Sequence, residues 1–257
     1  MQAVILAGGY GTRISEETYN KPKPMVLIGG KPIIWHIMKL FSFYGINDFI
    51  ICCGYQGYVL KEYFASYYER NSDIVVDLAL NEMRYISSRT EPWRVTLVDT
   101  GLETMTGGRI KRVKDYITSE LFFMTYGDGV SDVNLQDLTK FHLHNNTIAT
   151  VTAVRPSSRY GTLGIDSRNQ ASAFSEKDGA SESWVNGGFF LMNKDAINYI
   201  QDDQTIWEEH SMQRLTADRE LSCFKHLGFW QSMDTIRDQK LLQDMWNSGN
   251  PPWKLWN

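Results

Sequence analysis

The residues best suited to chemistry lie near the N-terminus, in a glycine-rich loop followed by basic side chains. Residues 6–13 read L-A-G-G-Y-G-T-R and directly follow a short apolar run. Because glycine has no side chain, backbone N–H groups in such a loop can approach an anion closely. The segment 21–25, K-P-K-P-M, follows, and its two prolines restrict the backbone that carries Lys23. The loop, Arg13 and Lys23 together predict a site for a phosphorylated ligand.

Two other glycine fingerprints do not fit this loop. No Gly-Lys-Ser/Thr ending follows the glycines, so the loop is not a Walker phosphate-binding loop. The dinucleotide motif G-x-G-x-x-G is also excluded, because its last position falls on Arg13 or Ile14. Taken alone, the loop could be only a tight turn, and Lys21 and Lys23 could belong to a solvated charged turn. Because the two lysines follow the glycine loop in the sequence, an anion-binding site is favoured over two unrelated turns.

Two aspartates are further candidates. Asp128 lies between two glycines after an apolar run, where its carboxylate would face the ligand edge of a sheet. Asp234 directly precedes the last predicted helix, and by its position alone it is more often a helix N-cap. Arg109, at the start of another predicted helix, could equally be a surface charge.

The elements that would position these residues alternate along the first two-thirds of the chain. Strands are predicted at 3–7, 48–53, 74–80, 95–98, 121–126 and 149–154, and helices at 31–44, 58–68, 108–116 and 134–144. Such alternation predicts an α/β fold with a parallel sheet covered by helices on both faces. Ligands of these sheets bind beyond the carboxyl ends of the strands.

In the last third of the chain the predicted strands and helices no longer alternate regularly. Short strands and turns are predicted over 160–192 with a return to the sheet at 188–192, followed by helices at 195–200 and 206–216, a strand at 221–224 and a helix at 235–246. The tail 250–257 holds two prolines and two tryptophans, so we expect it to pack on the body or on a neighbouring subunit. No linker or repeat divides the chain, which predicts one domain.

Composition excludes several classes of protein. The 257 residues carry a net charge of −4, which argues against a nucleic-acid partner. No apolar run is long enough for a membrane helix, and the N-terminus lacks the pattern of a signal peptide. Cys52 and Cys53 lie in an apolar run and predict reduced core thiols, which favours a cytoplasmic location.

The motifs of this sequence resemble those of the nucleoside-diphosphate-sugar pyrophosphorylases over nearly the whole chain. Besides 6–13 and 21–25, the matching segments are I-C-C-G-Y at 51–55, V-D-T-G at 98–101, T-G-G-R at 106–109, Y-G-D-G at 126–129, N-G-G-F-F at 186–190 and G-F-W-Q-S-M-D-T at 228–235. The segments T-G-G-R, Y-G-D-G and F-W-x-x-M-D-T point to the cytidylyl-transferring branch. The resemblance implies a Rossmann-like mixed, mostly parallel sheet flanked by helices. It places nucleotide binding in about 1–130 and sugar binding in about 131–257 of a single domain.

The activity implied by the resemblance is transfer of a cytidylyl group from CTP to α-D-glucose 1-phosphate, giving CDP-glucose and pyrophosphate. Mg²⁺ would be the cofactor, and Asp128 and Asp234 would hold it, since Mg²⁺ is commonly bound by one or two carboxylates plus substrate phosphates. Arg13 and Lys23 would act on the phosphates. A homo-oligomer and a role in bacterial surface polysaccharide synthesis are further implications of the family.

The remaining site residues follow from the same resemblance. Those implied to contact the nucleotide are Leu6, Ala7, Gly8, Gly9, Gly11, Thr12, Thr104, Arg109 and Gly127. Those implied to contact the sugar phosphate are Glu176, Lys177, Asn186 and Gly187. The family usually reads E-K-P where this chain has Glu176-Lys177-Asp178, which places a carboxylate beside an anion-binding lysine.

Two alternatives remain open at this point. The same enzyme class could use UTP or dTTP, because base choice depends on a few hydrogen bonds that a sequence does not display. A catalytically silent relative could instead bind a sugar nucleotide as a regulatory module. Retention of Arg13, Lys23, Asp128 and Asp234 argues against the silent relative, and the Glu-Lys-Asp departure keeps it open.

Overall fold

The computed structural model describes residues 1–14, 18–156, 162–165, 170–175 and 183–256. The strands are β1 (Gln2–Ala7), β2 (Leu27–Ile28), β3 (Lys31–Pro32), β4 (Asp48–Cys53), β5 (Ser72–Asp77), β6 (Glu82–Ser88), β7 (Arg94–Asp99), β8 (Leu121–Tyr126), β9 (Gly129–Ser131), β10 (Ala149–Val154), β11 (Thr162–Ile165), β12 (Ala171–Ser175), β13 (Val185–Asn186), β14 (Phe190–Asn193), β15 (Leu221–Lys225) and β16 (Trp230–Ser232). The α-helices are α1 (Ile33–Phe43), α2 (Gly57–Ala65), α3 (Tyr67–Arg70), α4 (Thr106–Arg112), α5 (Leu135–Asn145), α6 (Met212–Ala217) and α7 (Ile236–Asn247).

A mixed, mostly parallel sheet forms the centre of the molecule. Strand β1 lies between β8 and β4, parallel to both, and β4 pairs in parallel with β7. On the other side β14 pairs antiparallel with β8, and β10 pairs antiparallel with β14 and in parallel with β15. The predicted mixed α/β sheet is confirmed.

Both faces of the sheet are buried, which explains why its strands are apolar without alternation. Along β1, Ala3 and Ile5 pack into a core with α1, α5 and α7. Their neighbours Val4 and Leu6 point to the opposite face and pack with α4 and α6. A strand covered on both faces needs apolar side chains at every position. The prediction of helices on both faces is therefore confirmed.

The segment 74–80, predicted as one strand, is part of a β-hairpin instead. Strand β5 ends at Asp77, whose carboxylate accepts hydrogen bonds from the N–H groups of Ala79 and Leu80, 3.0 Å each. Asn81 adopts a positive φ of 53°, and β6 then returns antiparallel to β5. Asp and Asn favour such turns because they bond their own backbone and tolerate this conformation. Among the described residues, β5 and β6 pair only with each other.

Three predicted helices differ in extent. The helix predicted at 58–68 is divided into α2 and α3 at Ser66, and that predicted at 108–116 is α4 followed by a 3₁₀ turn, Lys114–Tyr116. The helix predicted at 206–216 begins as a π-helical turn, Trp207–Ser211, before α6. None of the helices described for this chain is long and apolar enough to cross a membrane.

The tail packs on the body of the same chain, as predicted. Trp253 is 1% exposed and stacks on Phe229, with ring centroids 5.6 Å apart. Its indole N–H donates to Nδ1 of His36 over 3.3 Å, and His36 Nε2 lies 2.9 Å from the Ile28 carbonyl. Cys52 and Cys53 are buried thiols, as expected, while Cys223 is exposed.

Candidate active site

A cavity of about 510 Å³ opens beyond the carboxyl ends of β1 and β8. Residues of the glycine loop, the 102–106 segment and the strand end at Tyr126 line it, together with Lys23 and the two aspartates. The predicted residues that it brings together are Leu6, Ala7, Gly8, Gly9, Gly11, Thr12, Lys23, Thr104, Arg109, Gly127, Asp128 and Asp234. Leu102, Glu103, Met105 and Thr106 also line the cavity and were not predicted as site residues. Tyr10 and Tyr126 line it too, and both lie within motifs identified in the sequence.

The glycine loop is held by close backbone contacts. The Leu6 carbonyl accepts a hydrogen bond from Gly127 N–H at 2.9 Å, and the Gly8 carbonyl accepts one from Tyr55 N–H at 3.2 Å. A Cβ on Gly8 would lie 2.1 Å from Nη1 of Arg109, so a side chain there would displace the guanidinium. Gly11 has a positive φ of 64°, which glycine adopts without strain.

Arg109 lies beneath the loop rather than on the surface. It is 5% exposed, so the surface-charge interpretation is wrong. Its Nη1 donates to the Thr100 hydroxyl at 2.7 Å and to the Gly101 carbonyl at 2.8 Å, and Nη2 donates to the Leu102 carbonyl at 3.1 Å. Burial lowers the pKa of this guanidinium from its usual value. Arg109 therefore ties the 100–102 segment to the floor of the cavity, where it also contributes to the lining.

Lys23 joins the two aspartates. Its Nζ lies 2.6 Å from Asp128 Oδ2 and 2.7 Å from Asp234 Oδ1, and its side chain is 12% exposed. Burial alone would lower the pKa of Lys23, but the charges and hydrogen bonds of the two carboxylates raise it. The ammonium therefore stays protonated between two acceptors. Lys23 is presented by a 3₁₀ turn, Lys23–Met25, with Pro24 buried at its start.

Asp128 and Asp234 are brought together by strand pairing. Strand β9, directly after Asp128, pairs antiparallel with β16, and the Met233 N–H donates to the Asp128 carbonyl at 2.8 Å. The N-cap of α7 is Thr235, which forms a capping box with Asp238, so the N-cap interpretation of Asp234 is wrong. With the helix capped by its neighbour, the Asp234 carboxylate is directed to Lys23 and Ser232.

The two carboxylates suit a divalent cation. Their oxygens converge on one cationic nitrogen, so both can reach a single positive centre. Among the described residues no group of three or more His, Cys, Asp or Glu side chains could hold a metal. A pair of carboxylates is what Mg²⁺ uses when substrate phosphates complete its coordination. The residues present therefore fit Mg²⁺ and would hold it through Asp128 and Asp234.

The predicted sugar-phosphate residues are only partly described. Glu176, Lys177 and the neighbouring Asp178 lie outside the described residues. Asn186 ends β13, and its side chain donates to the Tyr126 hydroxyl at 3.0 Å.

Gly187 is packed against β10. A Cβ at this position would lie 2.7 Å from Cγ1 of Val154, so a side chain does not fit. Its N–H donates to the Thr152 carbonyl at 2.9 Å, and its carbonyl accepts from Trp230 Nε1 at 2.7 Å.

The backbone of Arg13 lies in a 3₁₀ turn, Thr12–Ile14.

Sequence comparison shows that the chain is similar to nucleotidyl transferases. Residues 2–231 match a family model described as nucleotidyl transferase. The chain is 52% identical to glucose-1-phosphate cytidylyltransferase of Salmonella typhi over 257 residues, covering 100% of both chains. It is 42% identical to a probable glucose-1-phosphate cytidylyltransferase of Bacillus subtilis (strain 168), again over 100% of both.

Structural comparison gives the same fold. HddC from Yersinia pseudotuberculosis superposes with a TM-score of 0.69 at 21% identity, over 95% of this chain and 99% of that chain. A second crystal structure of HddC, complexed with GMP-PN, matches equally well. At this identity the likeness extends to the fold alone, and it agrees with the mixed sheet described above.

Proposed function

The chain belongs to the nucleotidyl transferase family, and from that premise we propose that it transfers a cytidylyl group from CTP to α-D-glucose 1-phosphate. The products are CDP-glucose and pyrophosphate. Full-length identity of 52% to a glucose-1-phosphate cytidylyltransferase supports this choice of substrates. The observation that carries the proposal is the cluster of Lys23, Asp128 and Asp234 on the wall of the glycine-lined cavity.

The reaction requires no covalent enzyme intermediate. A phosphate oxygen of glucose 1-phosphate forms a bond to the α-phosphorus of CTP, while the bond from that phosphorus to the bridging oxygen breaks and pyrophosphate leaves. The attacking oxygen is already anionic at neutral pH, so no general base is needed. Rate enhancement then comes from positioning the reactants and neutralising charge on the phosphates.

The site residues predicted from the sequence each have a place in this scheme. The backbone of residues 6–12 and the side chains of Thr104 and Arg109 hold the nucleotide at the ends of β1 and β8. Arg13 neutralises the departing pyrophosphate. Lys23 exchanges its carboxylate partners for phosphate oxygens when CTP binds, because a phosphate is an equally good acceptor for an ammonium.

Asp128 and Asp234 hold Mg²⁺ in this proposal. When bound, Mg²⁺ supplies positive charge that stabilises the phosphate oxygens of both substrates. Lys23 supplies further positive charge beside the same two carboxylates. The sugar phosphate is assigned to the other half of the cavity, with Lys177 as the partner of the phosphate and Glu176, Asn186 and Gly187 around the sugar.

We also propose that the chain assembles with copies of itself through the β5–β6 hairpin. This ribbon has no further strand partner among the described residues, and isolated two-stranded ribbons are marginally stable. Its apolar side chains face solvent: Ile86 is 69% exposed and Val76 is 53% exposed. Burial of such a patch against a second copy removes this area from water.

The substrate assignment is tested by measuring pyrophosphate release with glucose 1-phosphate and each of ATP, GTP, CTP, UTP and dTTP. We expect the highest kcat/KM with CTP. Preference for UTP or dTTP would transfer the assignment to the other branches of the same enzyme class. Release with none of them would support the silent, regulatory relative and contradict the enzyme.

A further inference from the structure

Glu208 connects two walls of the cavity through hydrogen bonds. It lies on the π-helical turn Trp207–Ser211, half-buried, and both of its carboxylate oxygens are engaged. Oε1 accepts from the Tyr126 hydroxyl at 2.5 Å, and Oε2 accepts from the Thr106 hydroxyl at 2.7 Å. Both Tyr126 and Thr106 line the cavity.

The direction of every hydrogen bond in this cluster is fixed. The Thr106 oxygen accepts from the Trp207 N–H at 2.9 Å, so the hydroxyl hydrogen is the one given to Glu208. The Tyr126 oxygen accepts from Asn186 Nδ2 at 3.0 Å, so its hydrogen is also given to Glu208. A carboxylate can only accept, which leaves no other arrangement.

The orientation of Asn186 belongs to the same chain of bonds. Its Oδ1 accepts from the Gly188 N–H at 2.9 Å, which identifies the other end of the amide as the donor toward Tyr126. Burial and the neighbouring Glu208 hold the pKa of Tyr126 well above its ordinary value, so the phenol keeps its hydrogen. Both hydroxyl hydrogens are therefore given to Glu208, so the two oxygens can act toward a ligand only as acceptors.

The π-helical turn is docked tightly enough to hold this arrangement. The Gly107 N–H donates to the Thr205 carbonyl at 2.9 Å, and a Cβ on Gly107 would lie 2.7 Å from that carbonyl oxygen. A Cβ on Gly108 would lie 2.5 Å from the Asp203 carbonyl oxygen. The two glycines of the T-G-G-R segment thus allow α4 to approach the chain just before Glu208. A helical turn with an inserted residue is frequent at functional sites.

We propose that Glu208 is a positioning residue that makes this wall an acceptor for a hydroxyl group of the sugar. Glu208 accepts the hydrogen bonds donated by the hydroxyls of Tyr126 and Thr106. The two hydroxyl oxygens can then only accept a hydrogen bond from a hydroxyl of the bound sugar phosphate. Glu208 also fixes Asn186 through Tyr126. The inference rests on the proposed function, since it assigns the sugar side of the same cavity.

Replacement of Glu208 by Gln tests the direction of these hydrogen bonds, because the two side chains have nearly the same shape. An amide can accept at one end only and donates at the other, so one of the two hydroxyls must reverse its hydrogen bond. We expect the KM for glucose 1-phosphate to rise about tenfold, the amount for an interaction of about 1.4 kcal/mol, with the Kd for CTP changed less than twofold. The matched control is Glu209→Gln, a neighbouring exposed carboxylate, which should leave both constants unchanged.

A set of glucose 1-phosphate analogues, each lacking one hydroxyl, separates positioning from a general structural role. The wild-type protein should discriminate against one analogue, and Glu208→Gln should lose discrimination for that hydroxyl alone. Tyr126→Phe should lose the same discrimination, and this variant keeps the test decisive if Glu208→Gln fails to fold. Equal weakening of CTP and of every analogue, or an unchanged KM, would overturn the inference. Absence of turnover by the wild-type protein would instead contradict the proposed function.

Discussion

At the scale of single residues, Lys23 is the centre of the site. Its ammonium neutralises Asp128 and Asp234, two carboxylates that would otherwise repel each other in a half-buried pocket. The same ammonium and the glycine loop line one cavity. We therefore propose two roles for Lys23, which are to neutralise the two carboxylates and to contact the phosphates of bound CTP.

Lys23→Met should separate these two roles. We expect kcat to fall about 10²- to 10³-fold, the usual loss for one preorganised group that stabilises charge in the transition state. Mg²⁺ affinity without nucleotide should rise at least about tenfold, because the cation that occupies Asp128 and Asp234 is gone. Isothermal calorimetry measures the second effect independently of activity. Lys114→Met, at an exposed position, is the control. Weaker Mg²⁺ binding in Lys23→Met would contradict competition between Lys23 and the metal.

The sequence indicated which residues of the glycine loop line the cavity, but it did not indicate the lining residues Thr106 and Met105. Lys23 follows the glycine loop and Asp128 lies between two glycines after a strand, so both were expected at the ligand edge of the sheet, and their roles followed from the family resemblance. Glu208 belongs to no such motif, and its role appears only when a turn far along the chain docks on α4. For Asp234 the sequence offered a helix cap, and the capping box one residue later shows why that was wrong.

At the scale of elements, the contact of α4 with residues 203–205 positions a helix that contributes Thr106 and Arg109 to the cavity. Helix α4 carries Arg109 under the glycine loop, and the same helix begins at Thr106 beside Glu208. Both halves of the site therefore depend on how closely this short helix docks. Its two glycines serve this approach, because a Cβ on either would clash with backbone atoms.

Gly108→Ala should move α4 away from its docking site. The added Cβ would lie 2.6 Å from Cα of Asp203, which is backbone and cannot rotate away. We expect a loss of about 1–3 kcal/mol in the free energy of unfolding, as for other overpacked sites, together with weaker CTP binding. Urea unfolding measures the first effect. Gly9→Ala is the matched control for stability, because no atom lies within 4 Å of a Cβ there. Equal stability of the two variants would contradict the docking argument.

The type of an element could be predicted where its residues are uniformly buried. The residues at which elements begin and end could not be predicted. Strands β1, β4, β8 and β10 read as apolar runs because both faces of the sheet are covered. The segment 74–80 was predicted as one strand and β6 was not predicted, because the turn after Asp77 contains the apolar residues Leu78 and Leu80. The π-helical turn was predicted as part of the α-helix that follows it, since the two are continuous in the chain.

At the scale of the whole molecule, the C-terminal tail packs against α1. His36 is fully buried there, accepts from Trp253 Nε1 and so donates from Nε2 to the Ile28 carbonyl. Burial lowers the pKa of His36 to about 4. The folded protein therefore holds this imidazole neutral, whereas the unfolded chain protonates it near pH 6.5.

This difference in pKa predicts a loss of stability in acid. Stability is complete above about pH 6.5 and falls as the pH drops toward about 4, because only the unfolded chain takes up the proton in that window. We expect the contribution of His36 to fall by about 2 kcal/mol between pH 7 and pH 5, measured by urea unfolding. His36→Gln should lose this part of the pH dependence, and His144→Gln, at an exposed position, should keep it. An identical dependence in His36→Gln would contradict the prediction.

The measurement that tests the account most directly is formation of CDP-glucose and pyrophosphate from CTP and glucose 1-phosphate, followed by mass spectrometry as Mg²⁺ is titrated. We predict equimolar products with the wild-type chain, dependence on Mg²⁺, and at least about 10²-fold slower formation by Asp128→Asn and Asp234→Asn. Asp244→Asn, exposed on α7, should behave as the wild type. Products at the wild-type rate from either site variant, or none from the wild type, would contradict the assignment of this cavity.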